Sequence, residues 1–368
     1  MLHEDGEQKG SNAAAGMPDA AAQDEITAEI DAAAPAASPF QQLDGAAVTI
    51  EGDSLLHVVA ESGDGKEFLR CAEMIVCDKD GAAAMRQVLE ARNCRGDTPL
   101  HCAAAAGNAQ MIYCLVDLAA STTDKEHEAA VEKAYLEAQN KYGETVLHHV
   151  INRAGMMHNR HAFKNTPVSM MNKNIVDAYH MIENLMSMDP DLACIVTHEG
   201  TSPLFLATTL GEMEIARDLI VKAKERELSY YSGSDGQNIL HAAVSCGHAQ
   251  ALPKVLNWLK EPKTAGNMQE EGQAEAGNRR VAAAADLLIK KLTSQRDKKN
   301  GSTPLHLAAS LWGFLSTQWA PFWSWKWSGR ASAIRMLLDA NPSMAYQVDK
   351  EGLYPIHVSA AVGANLDF

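Results

Sequence analysis

Six histidines occupy one place in a recurring block. His57, His101, His148, His241, His306 and His357 each lie five residues after a glycine. Histidine is the side chain best suited to ligate a metal or move a proton near neutral pH. Either role needs several groups converging on one point. One histidine per block does the opposite, because stacked layers set equivalent residues roughly 10 Å apart. His148 and His149 adjoin, but neighbours on a helix point about 100° apart and do not share an ion. The histidines therefore read as structural, with no metal expected. Seven cysteines (Cys71, Cys77, Cys94, Cys102, Cys114, Cys194 and Cys246) show no paired ligand spacing. They suit free, mostly buried thiols in a reducing compartment. The chain has no Gly-x-x-x-x-Gly-Lys-Ser/Thr phosphate loop, no Gly-x-Ser-x-Gly elbow and no His-Glu-x-x-His helix. Neither catalysis nor a cofactor is expected.

Tryptophan is the other concentrated chemistry. Trp312, Trp319, Trp323, Trp325 and Trp327 are five of the six in the chain. One reading is a folded-back insert whose indoles cover neighbouring helices. The other is an exposed patch that grips a partner or sits in a membrane interface. Trp323, Trp325 and Trp327 alternate as on an extended ribbon, and with Trp319 they stand as partner-binding candidates.

The elements behind these residues come from the block itself. It runs Gly-Asp-Ser-Leu-Leu-His from Gly52, Gly-Asp-Thr-Pro-Leu-His from Gly96 and Gly-Glu-Thr-Val-Leu-His from Gly143, and returns at Gly200, Gly236, Gly301 and Gly352. Glycine suits a tight turn with positive φ. Thr98 and Thr303 are placed as helix N-caps, and Pro99 and Pro304 fall at the first helical position. Small residues follow, as in Cys102-Ala103-Ala104, and make a thin helix that neighbours can approach closely. A second helix follows each first one: after Gly107-Asn108, the residues Met111, Ile112, Leu115 and Val116 share one face. The expected fold is an all-α solenoid of about seven turn–helix–turn–helix units spanning 46–368.

The Thr-Pro-Leu-His block with two helices per unit resembles the ankyrin repeat over roughly Val48 to Phe368. Thr98–His101 and Thr303–His306 match its central motif outright; Thr201–Phe205 and Tyr354–His357 are looser copies. The resemblance implies a protein-binding scaffold that uses turn tips and first helices. Candidate contact residues flank the motif glycines: Arg95 and Asp97, Tyr142 and Glu144, Glu199, Asp235 and Gln237, and Asn300.

Successive motif glycines lie 44, 47, 57, 36, 65 and 51 residues apart, against about 33 for a bare ankyrin unit. The excess is expected to leave the stack as inserted loops or lengthened helices, near 155–172, 262–280 and 311–329. The first contains a polar, turn-prone excursion at Gly155–Arg160, and the second reads as disordered from Pro262 to Arg280. With these long spacings, Asp189-Pro190-Asp191-Leu192-Ala193 and Asn341-Pro342-Ser343-Met344-Ala345 resemble plant ankyrin-repeat membrane proteins of the accelerated-cell-death type. That resemblance implies a cytosolic ankyrin domain ahead of transmembrane helices, at the plasma membrane, in defence signalling and cell-death control. The chain lacks the Pro-Gly-Gly of that membrane domain and any apolar run of about 20 residues. It ends within a repeat, so it reads as truncated, with membrane contact only through a missing C-terminal segment or the Trp-rich insert. A stop at Phe368 would instead make it a cytoplasmic adaptor. A channel-like protein with its pore downstream is a further alternative.

Charge narrows the partners. The net charge is −15 over 368 residues, and residues 1–45 hold nine acidic groups and one Lys. That opening segment, rich in Ala, Asp, Glu and Gln, reads as a disordered tail. Acidity of this degree opposes nucleic-acid binding, which depends on neutralising phosphates. The partners are expected to be other proteins.

Overall fold

The computed structural model describes residues 48–160, 168–222, 228–248, 250–261, 271–311 and 333–361. The acidic segment 1–45, all five clustered tryptophans and Leu366–Phe368 lie outside the described residues.

Each motif glycine lies at the end of a turn tip. All seven adopt positive φ, from +70° at Gly301 to +84° at Gly200, the region where a β-carbon costs most. The tips are joined in a ladder: the N–H of Cys94 donates to the Glu51 carbonyl at 2.9 Å, Lys141 to Arg95 at 3.0 Å, His198 to Tyr142 at 2.9 Å and Lys350 to Asn300 at 2.9 Å. At three tips a polar residue three positions before the glycine shapes the turn. Asn93 Oδ1 accepts from the N–H groups of Arg95 and Asp97, Asn140 Oδ1 from those of Tyr142 and Glu144, and Asp349 Oδ1 from those of Glu351 and Leu353, all at 2.9 Å.

After each tip the chain enters a short inner helix: α1 (Leu55–Ser62), α4 (Pro99–Ala106), α7 (Val146–Arg160), α9 (Pro203–Leu210), α11 (Ile239–Ser245), α14 (Pro304–Ser310) and α16 (Pro355–Ala361). These stack in that order, each packing on the next. Their small residues make this possible: Ala103, Ala104, Ala207 and Ala309 are fully buried, and alanine keeps the helix thin without loss of propensity. Proline at the first helical position starts α4, α9 and α14.

Outer helices form a second layer: α2 (Lys66–Cys77), α5 (Ala109–Ala120), α8 (Val168–Met188), α10 (Met213–Lys222), α12 (Ala251–Lys260) and α15 (residues 333–340). The predicted stripe of Met111, Ile112, Leu115 and Val116 on α5 is buried to within 1 % exposure. The core lies between the layers and runs continuously along the stack.

The extra residues between motifs are helical where they are described. Units one, two and five carry a third helix: α3 (Ala82–Leu89), α6 (Glu128–Leu136) and α13 (Glu271–Ser294). Two expectations are corrected here. Residues 155–160 do not loop out but continue α7, and 168–172 begin α8. Gly155 is tolerated inside the helix because α7 packs on α9, and a β-carbon there would stand 2.7 Å from the Leu210 side chain. Likewise 271–280 is the first part of α13 rather than disordered. Its Glu, Gln and Ala residues are strong helix formers despite their polarity. Among the described residues there is no strand, only an isolated bridge between Ser232 and Asn238.

Candidate functional site

The motif histidines are the bolts between layers. His57, His101, His148, His241 and His306 are each at most 1 % exposed. In each, Nε2 meets a carbonyl oxygen of the following tip: Asp97 at 2.9 Å, Glu144 at 3.1 Å, Thr201 at 3.3 Å, Ser302 at 3.2 Å and Leu353 at 3.1 Å. A carbonyl only accepts, so Nε2 carries the proton. Nδ1 then accepts from the N-cap N–H of Ser54, Thr98, Thr145, Asn238 or Thr303 at 3.1–3.2 Å. The Thr303 hydroxyl also accepts from the His306 N–H at 3.4 Å. Both ring nitrogens are thus occupied by backbone, and neither is open to a metal or substrate. His357 differs: it is exposed, although its Nδ1 still accepts from the Tyr354 N–H at 3.3 Å.

Burial disfavours the charged ring, so His57, His148, His241 and His306 titrate below the usual value, with His148 and His241 pushed down to about 4. In unit four Phe205 replaces the histidine. Its ring lies over Gly233, where a β-carbon would stand 2.2 Å from the phenyl edge, while Ser202 donates its N–H to the Ser232 carbonyl at 3.0 Å.

The structure divides the candidate contact residues. Tyr142, Glu144 and Glu199 line one cavity of about 550 Å³, together with Lys141, Asn152, His198 and Leu206. The cavity is bounded by the tips at Gly143 and Gly200 and by the inner helices α7 and α9. The Tyr142 side chain is 59 % exposed. Arg95, Asp235 and Asn300 belong to other tips; the last two are exposed and Gln237 is half-buried.

Asp97 is a correction. It is 1 % exposed and cannot face a partner. Its carboxylate accepts from Asn140 Nδ2 at 2.8 Å and pairs with Arg95 Nε at 3.0 Å. His149 completes this network: its Nε2 stands 3.6 Å from Asp97 and 3.7 Å from Glu144, and its ring meets His101 edge-on at 5.2 Å between centroids. Burial, and for His101 also the neighbouring His149, lowers the pKa of both rings.

Sequence reasoning missed Lys141, Asn152, His198 and Leu206. Lys141 and His198 were findable, since both stand two residues before a motif glycine. Asn152 and Leu206 were not, because nothing along the chain says which helical side chains face a tip.

Other clusters are already engaged. Oxygen atoms of Glu137, Asp189 and Asp191 lie within 4.8 Å of one another. The Lys133 ammonium sits among them, bonded to Asp191 and 3.6 and 3.7 Å from Glu137 and Asp189. The thiols divide by exposure. Cys71, Cys77, Cys94 and Cys194 are exposed, whereas Cys102 is 7 % exposed and burial pushes it up to about 12. Thiolate is the nucleophile, so iodoacetamide should label the four exposed cysteines of the native protein. Cys102 should react only after unfolding, which peptide mapping by mass spectrometry would read.

The pattern of tip, thin inner helix, outer helix and histidine bolt is the ankyrin geometry, and a sequence model of the ankyrin repeat matches residues 95–125. The fold is an ankyrin-repeat solenoid. Ankyrin-repeat domains are in general interaction modules rather than catalysts. Among solved structures the chain is similar to the ankyrin repeat domain of Bcl-3, described as a unique member of the IkappaB protein family. The identity is 18%, the TM-score 0.42, and the match covers 73% of this chain and 84% of that one. It is also similar to a chain from the Bd0816 predatory endopeptidase of Bdellovibrio bacteriovorus in complex with immunity protein Bd3460. There the identity is 22% and the TM-score 0.36, with 63% of this chain and 96% of that one covered. The chain matches no curated protein. No helix of the described residues is long and apolar enough to cross a membrane.

Proposed function

We propose that this ankyrin-repeat solenoid is a non-catalytic scaffold that binds another protein, and that the cavity between the Gly143 and Gly200 tips is its principal contact. The carrying observation is that Tyr142, Glu144 and Glu199, from consecutive tips, line one cavity with Asn152 and Leu206 from the inner helices. An exposed aromatic ring beside fixed polar groups is the composition of a binding hot spot. Five of the six motif histidines (His57, His101, His148, His241 and His306) have both ring nitrogens engaged by backbone.

The narrower reading is a cytosolic ankyrin domain of a membrane-associated plant regulator of defence or cell death. It rests on the Asp189-Pro190 and Asn341-Pro342 phrases and the long spacings. Both phrases fold into the same 3₁₀ turn after an outer helix, at Pro190–Cys194 and Pro342–Tyr346, which makes them one recurring device rather than chance composition.

The test is co-purification from plant cells of the wild-type chain, a Tyr142→Ser/Glu199→Gln double variant and an Asn300→Ala control. Recovery of a membrane-located partner should fall about tenfold for the double variant alone. Equal recovery by all three chains would sink the cavity as the contact site. Recovery of no membrane protein would sink the narrower reading and leave the scaffold standing.

A further inference from the structure

The cavity between the Gly143 and Gly200 tips is open, mixed in polarity and unevenly charged. Its formal charges are the carboxylates of Glu144 and Glu199 and the ammonium of Lys141. That ammonium is already committed: Lys141 Nζ donates to the carbonyl of Cys94, one unit back and outside the lining, at 2.8 Å. The next cation along the tips, Arg95, is held by the buried Asp97 carboxylate at 3.0 Å. Glu144 is anchored from behind by Asn140 Nδ2 at 3.0 Å, so its carboxylate is positioned before any ligand arrives. Glu199 is exposed. The Tyr142 ring, open to solvent, lines the same cavity, as do the Asn152 amide and the half-buried Leu206.

Resting on the scaffold reading, we propose that this cavity recognises an arginine side chain of a partner's extended segment. The guanidinium lies against the Tyr142 ring and pairs with Glu199 and Glu144, and an aliphatic neighbour covers Leu206. Each part of the site matches that group. An aromatic face attracts a cation, arginine more often than lysine. Two carboxylates on one cavity accept the planar fork of donors that arginine has and lysine lacks. A volume of about 550 Å³ lies in the range of small ligand pockets and admits a side chain with its flanking backbone rather than a folded domain. The net charge of −15 draws a basic segment toward the surface and repels an acidic one.

The experiment is selection of a random peptide library displayed on phage against the full chain. Anisotropy titrations of the enriched peptides then use the wild type, Tyr142→Ser, Glu199→Gln, the double variant and the Asn300→Ala control. Enriched peptides are expected to share an arginine. Each single variant should weaken them about threefold and the double variant about tenfold, with Asn300→Ala unchanged. Replacing that arginine by lysine in the peptide should cost about threefold, and raising the salt should weaken binding further. Thermal melting of the variants keeps loss of fold apart from loss of contact, since Tyr142 and Glu199 are exposed. Enriched peptides that need Tyr142 and Glu199 but are neutral or acidic overturn the arginine assignment and leave the cavity as the contact site. Peptides indifferent to both substitutions, or no enrichment at all, overturn both.

Discussion

Alanine at Gly143 should destabilise the domain by about 3 kcal/mol, more than the same change at any fully open tip. Gly143 adopts φ +80°, and a β-carbon there would lie 2.5 Å from the backbone nitrogen of His198 and 3.0 Å from the Thr197 carbonyl carbon. The left-handed conformation alone costs an L-residue about 1–2 kcal/mol. Backbone atoms cannot rotate away as a side chain would, so the tips must part. Parting breaks the bond from the His198 N–H to the Tyr142 carbonyl, 2.9 Å long and worth about 1 kcal/mol. Gly352 is the control. It has the same φ of +80°, but among the described residues no atom beyond its chain neighbours lies within 4 Å of its would-be β-carbon, so Gly352→Ala should cost only about 1–2 kcal/mol. Urea midpoints of the two variants read the difference. Equal losses would mean that φ alone governs the tips and that their close stacking adds nothing.

Mild acid should loosen the stack through its histidines. His148 and His241 titrate near 4 in the folded chain, chiefly because burial disfavours the imidazolium, against 6.5 unperturbed. Protonation would also set an Nδ1–H against the N–H of Thr145 or Asn238, both donors. A folded pKa below the unfolded one means that the unfolded chain binds the proton more tightly. Stability is therefore complete above about pH 6.5 and is lost as pH falls from there toward 4. At pH 5 the loss is about 2 kcal/mol for each of these two rings. His57, His101, His149 and His306 shift in the same direction and add to it. Urea unfolding at pH 7 and pH 5 measures the sum. A His148→Gln variant should be weaker at pH 7 but lose less on acidification. Indifference to pH over that interval would contradict the buried neutral tautomer.

The sequence by itself determined the repeating unit. Glycine at a positive-φ tip, Thr98-Pro99 and Thr303-Pro304 at helix starts, and alanine where helices stack are local requirements, each met by residue type. That is why the unit, its inner helices and the buried face of α5 were legible. The fixed offset of the histidines pointed to a structural role, and five of the six are buried with both ring nitrogens bonded to backbone. The inserts were not. Polar residues at 155–160 and 271–280 suggested loops, yet both segments are helical. Polar residues occur in loops and in helices alike, so polarity alone does not separate an inserted loop from a lengthened helix.

Only the tertiary structure decided which tip residues face outward. Asp97 and Glu144 hold the same position in successive blocks, one after the glycine. Asp97 is buried because Asn140 and Arg95 close over it, while Glu144 reaches the cavity shared with Tyr142 and Glu199. Local rules are identical at the two positions, so nothing along the chain separates them. The difference arises from what the next layer brings within hydrogen-bonding distance, and that is set by packing across 40 to 60 residues of sequence.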